Sequence, residues 1–189
     1  MTTRTGRRGE ARERVVQAAV RLIARHGVEG TSLQMIADEL GVTKAAVYHQ
    51  FQTKEDIVVA VVRPIFGELL DAVDAAERRP TRAAQVDAVI RGLIDVLLRH
   101  REIAAAFAGD PVIFNVVRAD AELNGLVERM GLLLAGPDPD PATRIAVSLV
   151  GSGVAAGAAD PALTDLDDDT LRDGLLVCAR RALGLPDNG

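Results

Sequence analysis

The 189 residues contain no tryptophan, one tyrosine and four phenylalanines. So few rings argue against a ligand site built on aromatic stacking. Lysine occurs twice, at Lys44 and Lys54. The single cysteine, Cys178, cannot close an intramolecular disulfide and reads as a small apolar residue on the last helix. The histidines, at 26, 49 and 100, are far apart, and no Cys/His cluster has zinc spacing. Long runs of Val, Ile, Thr and Tyr are missing, which disfavours a sheet. The most membrane-like stretch, 145–159, has 15 uncharged residues between Arg144 and Asp160, short of the ~20 that span a bilayer. The first residues are polar and arginine-rich, without the apolar core of a secretory signal. A cytoplasmic protein with no membrane association is expected.

Catalytic signatures are also missing. No nucleophile–base arrangement, phosphate loop or metal spacing is visible. The acidic run Asp165–Asp169 lacks the glycine and glutamate of a calcium loop and reads as a helix cap. The chain is therefore expected to be no enzyme and to need no cofactor.

Apolar residues make up 48% of the chain, ample for a core. With Ala, Leu and Arg abundant, an almost wholly helical fold follows, as one moderate domain or a small head on a larger body. Net charge is −5, which alone would speak against nucleic acid. Its distribution reverses that. Residues 1–54 carry nine Lys+Arg against five Asp+Glu, and residues 55–189 carry thirteen against twenty-two. A basic head on an acidic body is the asymmetry expected when one end meets phosphate.

Residues 31–54, TSLQMIADELGVTKAAVYHQFQTK, read as two short helices around a glycine turn. Leu33, Ile36, Ala37 and Leu40 fall on one apolar face. Gly41 supplies the left-handed turn, and Thr43 caps the next helix. That helix buries Val47 and Phe51 and leaves Lys44, Ala45, Ala46, Tyr48 and His49 outward. The small Ala37, the turn glycine four residues on and the buried Val47 six beyond it, with apolar contacts from Ile36, Leu40 and Val42, form the register of a helix-turn-helix. Such a unit places its second helix in the DNA major groove.

Around this unit the spacing predicts a first helix over about 10–26, with Val15, Ala19, Leu22 and Ile23 inward and Gly27 ending it. Residues 1–9 read as a flexible basic arm, with Arg4, Arg7 and Arg8 either on phosphate or a minor groove, or making no contact. Thr31 with Gln34 has capping-box spacing, repeated by Thr53 and Asp56. A long helix follows over 54 to about 78, with Ile57, Val58, Val61, Ile65 and Leu69 inward. Pro64 inside it predicts a kink or break. Further helices are expected over 83–100, with Val86, Val89, Ile90, Leu93 and Leu97 inside, over 102–108, ending at Gly109-Asp110-Pro111, and over 120–135. A helical turn is expected over 112–117. The last two helices, 141–159 and 167–183, differ from the rest. The first is rich in small residues, including Gly151, Gly153 and Gly157, which suits close approach of another helix. The second has acids at its start, Arg180 and Arg181 at its end, and Gly184 and Pro186 as terminators.

The stretch 31–62, especially IAxxLGV, VYxxF and the following KEDI, resembles the TetR family of bacterial transcriptional regulators. The resemblance implies an all-α protein of about nine helices: a three-helix helix-turn-helix head over 1–53 and a ligand-binding and dimerisation body over 54–189. It implies a regulator, most simply a repressor, that binds a palindromic double-stranded operator as a homodimer and is released by a small-molecule effector. Thr43, Lys44, Ala45, Ala46, Tyr48 and His49 would face the groove, with Gln34 reaching a base or phosphate. Thr43, Tyr48 and Lys54 suit phosphate oxygens, whereas Lys44, His49 and Gln34 can donate to base edges. For His49 a solvated or phosphate-facing role fits equally. The Ala45 or Ala46 methyl can touch a thymine methyl. Phe66, Ile103, Phe107, Phe114 and Met130, with Arg118 as polar anchor, are the pocket candidates, although such residues also serve as plain core. Ser148, Gly151, Ser152, Ala155, Leu171 and Leu175 are the expected dimer contacts. A helical enzyme or a protein-binding adaptor is the competing reading, and neither explains the charge split.

Overall fold

The computed structural model describes residues 4–107 and 111–185, with the side chains of residues 4–8 and 111 outside that description. Ten α-helices and one 3-10 turn (Pro161–Leu163) occur among the described residues, with no strand. The head comprises α1 (Arg4–Gly30), α2 (Leu33–Leu40) and α3 (Lys44–Tyr48). The expected arm is already helical at Arg4. Its residues 1–3 and the side chains of Arg4, Arg7 and Arg8 lie outside the described part. Gly27, at φ 70, breaks the helical conformation where the sequence expected α1 to end.

One cap sits a residue later than its spacing suggests. Ser32 accepts the Met35 amide as the N-cap of α2. Thr31 is buried instead, and its hydroxyl donates to the Gly27 carbonyl at 2.8 Å. Gly41 (φ 64) closes α2 as expected, with its own amide on Asp38 O and that of Val42 on Ala37 O. This pairing satisfies the carbonyls at the helix end.

The body begins with α4 (Lys54–Glu77), which carries the Thr53–Asp56 capping box. The helix continues through Pro64 without a break, and Pro64 sits on its exposed side. There the missing amide lies toward solvent rather than in the core. Next come α5 (Arg82–Arg99) and α6 (Arg101–Phe107). Residues 108–110, where a stop was expected, lie outside the described residues. The turn expected over 112–117 is a full helix, α7 (Pro111–Ala119), opened by a proline that suits a first helical position. Then follow α8 (Ala121–Ala135), α9 (Pro141–Ala159) and α10 (Asp168–Ala182). Asp120, Asp140 and Asp167 cap the last three. The Thr143 hydroxyl, with the amides of Thr143 and Ala142, holds the Asp140 carboxyl below the usual carboxylate range. At the other end, Gly184 (φ 66) closes α10, and Pro186 lies outside the described residues.

Three apolar clusters organise the packing. The first joins Val15, Ala19, Ile23, Ile36, Ala37, Val47 and Phe51 to Ile57, Val58 and Val61 of α4 and Val116 of α7. Packing thus groups the start of α4 with the head, beyond the expected boundary at 53. Ile65, Leu69, Val73, Val96 and Leu126 form a second cluster between α4, α5 and α8. The third lies between α5, α9 and α10 around Val89, Ile90, Ile94, Val154 and Leu176. On α5, Leu93 and Leu97 are only half-buried, while Ile94, Val96 and Leu98 lie deeper than the expected stripe.

Candidate nucleic-acid interface

Two side chains anchor the recognition unit. Val47 is 0% exposed and Phe51 2%. Arg12 of α1 lies over the Phe51 ring at 4.7 Å from its centroid, and Arg21 pairs with Glu39 at 3.2 Å, tying α1 to α2. With Val47 turned inward, helical geometry turns the rest of α3 out. Thr43, Lys44, Ala45, Ala46, Tyr48 and His49 are all exposed. Thr43 accepts the Ala46 amide at 3.2 Å, as its cap position predicts, which leaves the hydroxyl hydrogen to donate. Lys44 lies over the Tyr48 ring, its Nζ 5.5 Å from the centroid, a weak cation–π contact that keeps the ammonium on the outer face.

Gln34 is exposed on α2 and donates to Asp38 at 2.7 Å. Val42, expected to help fill the helix contact, is 39% exposed and borders the outer face instead. Lys54 is used differently from the sequence reading. Its Nζ donates to Val28 O at 2.8 Å and to Glu29 O at 3.1 Å. Nothing in the sequence signals this bond, because a backbone carbonyl carries no residue type.

This geometry is matched by known proteins. Residues 15–61 fit the model of the bacterial regulatory proteins of the tetR family. Over these residues, which hold the whole helix-turn-helix, the chain matches the TetR family. The regulator BetI of Rhizobium meliloti is 36% identical over 81 residues, 42% of this chain and 40% of that protein. The regulator RutR of Escherichia coli K12 is 27% identical over 141 residues, 70% of this chain and 66% of that protein. These matches span less than two thirds of either relative. A tetR-family regulatory protein from Rhodococcus RHA1 shares the fold at TM-score 0.70 and 19% identity, over 94% of this chain and 98% of that one. AibR, solved with isovaleryl coenzyme A and operator DNA, gives 0.66 at 19%, over 89% and 97%. FadR of Bacillus subtilis, solved with stearoyl-CoA, gives 0.64 at 16%, over 88% and 96%.

The pocket candidates of the body do not form one pocket. Phe66 and Met130 pack on the cluster between α4, α5 and α8, Phe107 packs on the head cluster, and Ile103 touches both. Phe114 is 69% exposed on α7, and Arg118 is exposed beside it, so neither lines the interior. A cleft of about 570 Å³ opens where α5 and α9 begin and α8 and α10 end, beside Arg82, Val86, Leu134, Ala146 and Leu183, and includes none of the six.

The dimer candidates divide too. Ser148 and Ser152 are exposed, while Gly151 and Ala155 are half-buried. Leu171 is only 3% exposed and belongs to the chain's own core. Leu175 packs inward, with its Cδ2 2.8 Å from where a Cβ on Gly157 would stand. Their i, i+4 spacing put them on one apolar face of α10, and that face turns inward. The outward apolar residues are Ile145 (60% exposed), Leu149 (65%) and Val177 (40%), which the sequence reading missed.

Proposed function

We propose that this chain is a DNA-binding transcriptional regulator, a homodimer that represses at a near-palindromic operator and is released by a small-molecule effector. The observation that carries the reading is the outer face of α3: six consecutive-turn residues exposed around a fully buried Val47. Thr43 and Tyr48 hydroxyls would fix register on phosphates, and Lys44 and His49 would donate to base edges.

Dimerisation is supported by α9. It is long and apolar enough to meet the length and composition of a membrane span, yet only 17% of its most apolar window is buried within the chain. Ile145, Leu149, Ser148 and Ser152 present a face that a second copy would cover. Two-fold symmetry would then set half-sites about 34–36 Å, or a multiple of that, apart. The effector acts through its differential affinity for the on-DNA and off-DNA states. The acyl-CoA complexes of FadR and AibR make CoA thioesters the first compounds to screen. A regulator of this kind works in the bacterial cytoplasm.

Selection of bound duplexes from a random pool tests the reading. Enrichment of one near-palindromic motif, with affinity falling steeply as salt rises, is the expected outcome. Recovery of no preferred duplex at low ionic strength would reject it.

A further inference from the structure

We propose that Lys54 is a positioning residue that fixes the angle of the recognition unit, and that its contribution to DNA affinity does not come from a phosphate contact. The inference rests on the DNA-binding reading above. As the first residue of α4, Lys54 sits at the positive end of a helix dipole, a poor place for a cation. Its ammonium turns away to the closing turn of α1, donating to Val28 O at 2.8 Å and Glu29 O at 3.1 Å. Val28 O also accepts the Thr31 amide at 3.3 Å, and a cation beside the carbonyls of a helix end is favoured.

The neighbouring carbonyl is held by the same corner. Thr31, 2% exposed, donates its hydroxyl to Gly27 O at 2.8 Å, and Gly27 itself turns the chain at φ 70. Three successive carbonyls, from Gly27 to Glu29, are thereby bound by Thr31 and Lys54. Residues 31–53, which hold the whole helix-turn-helix, lie between these two fixed points. Lys54 closes that loop onto α1, and the loop's orientation follows from the closure. Recognition tolerates only about 10–20° of misorientation, so slackening the corner costs affinity without removing a charge from the interface.

Two variants separate this from a phosphate contact. Lys54→Met removes the donors and the charge. Thr31→Val loosens the same corner from a buried position that DNA cannot touch. Both are expected to weaken binding to the selected duplex by about tenfold at every salt concentration, with the slope of log affinity against log salt unchanged. Lys54→Arg, whose fork reaches both carbonyls, should restore affinity. Loss of one phosphate contact would instead lower the slope by about 0.9 in Lys54→Met alone, and that result would overturn the proposal. So would wild-type affinity in both variants. If Lys54→Met does not fold, Lys54→Gln, with a neutral and shorter NH2 donor group, is measured against the same outcomes. Hydrogen exchange supplies a readout without DNA: amides across 31–53 should exchange faster in both variants, and unchanged protection would also overturn the proposal. Failure of the wild type to select any duplex, with that exchange pattern intact, would reject DNA binding and leave the tether standing.

Discussion

A Cβ placed on Gly92 of α5 would stand 2.6 Å from the Cβ of Ala72 on α4. These two small residues set how closely the body's central helices approach. Gly92→Ala should therefore destabilise the protein by about 1–3 kcal/mol through overpacking, although alanine favours a helix by about 1 kcal/mol. Gly125→Ala on α8, where a Cβ meets nothing within 4 Å, should stabilise it by up to about 1 kcal/mol. Urea unfolding of both variants checks the pair, and equal stability of Gly92→Ala and wild type would refute the close-contact argument.

Leu149, 65% exposed on α9, is the best place to separate two copies. Leu149→Glu should yield a monomer by sedimentation, with an unchanged far-ultraviolet circular dichroism spectrum. Persistence of a dimer would move the interface elsewhere.

Lys44 is expected to read a base. Lys44→Ala should relax preference at one position of each half-site, at a cost of about 1–3 kcal/mol against the preferred base. Repeating the duplex selection with the variant measures this. A uniform loss over all sequences would make Lys44 a phosphate ligand.

Two aspartates of α5 face arginines of α10, and burial separates their worth. Asp95 accepts from Arg172 Nε at 2.7 Å, with the side chains of Arg172 and Asp95 37% and 41% exposed. Asp87 accepts from Arg180, which is only 7% exposed. Asp95→Ala should cost about 0–1 kcal/mol, the usual worth of an exposed pair. Asp87→Ala should cost more, about 1–3 kcal/mol, because it strips an anionic partner from a desolvated cation. Thermal unfolding of the two variants decides the order.

Arg129 links α8 to α4 through Glu77 and Asp74. Its hydrogen bonds hold the Glu77 carboxyl below the ordinary value of 4.5. The folded protein then takes up this proton less readily than the unfolded chain. The pair's contribution is complete above pH 4.5 and is lost as pH falls through the lower folded value. Glu77→Gln should flatten the acid side of the melting temperature–pH curve, and a superimposable curve would exclude the pair as a source of acid lability.

The sequence made local chemistry legible. Thr43, Thr53 and Asp167 cap the helices predicted for them because a cap and its amide lie within three residues. Even so, Thr31 and Ser32 carry the same hydroxyl, and only packing shows which one caps and which is buried. Long-range facts were less legible. Phe66 and Met130 fill a core with the same chemistry that would line a pocket. Leu171 and Val177 are both apolar on α10, and periodicity alone does not say which faces out. The acceptors of Lys54 are peptide carbonyls 25 and 26 residues away.

The scarcity of lysine, at Lys44 in the head and Lys54 at the start of α4, has a practical consequence. These are the only side-chain amines in the 189 residues, and one of them is engaged by two carbonyls. Amine-directed acylation of side chains would therefore fall first on Lys44, cancelling its charge on the exposed face of α3. Such chemistry would report on operator occupancy with almost no background from the rest of the molecule.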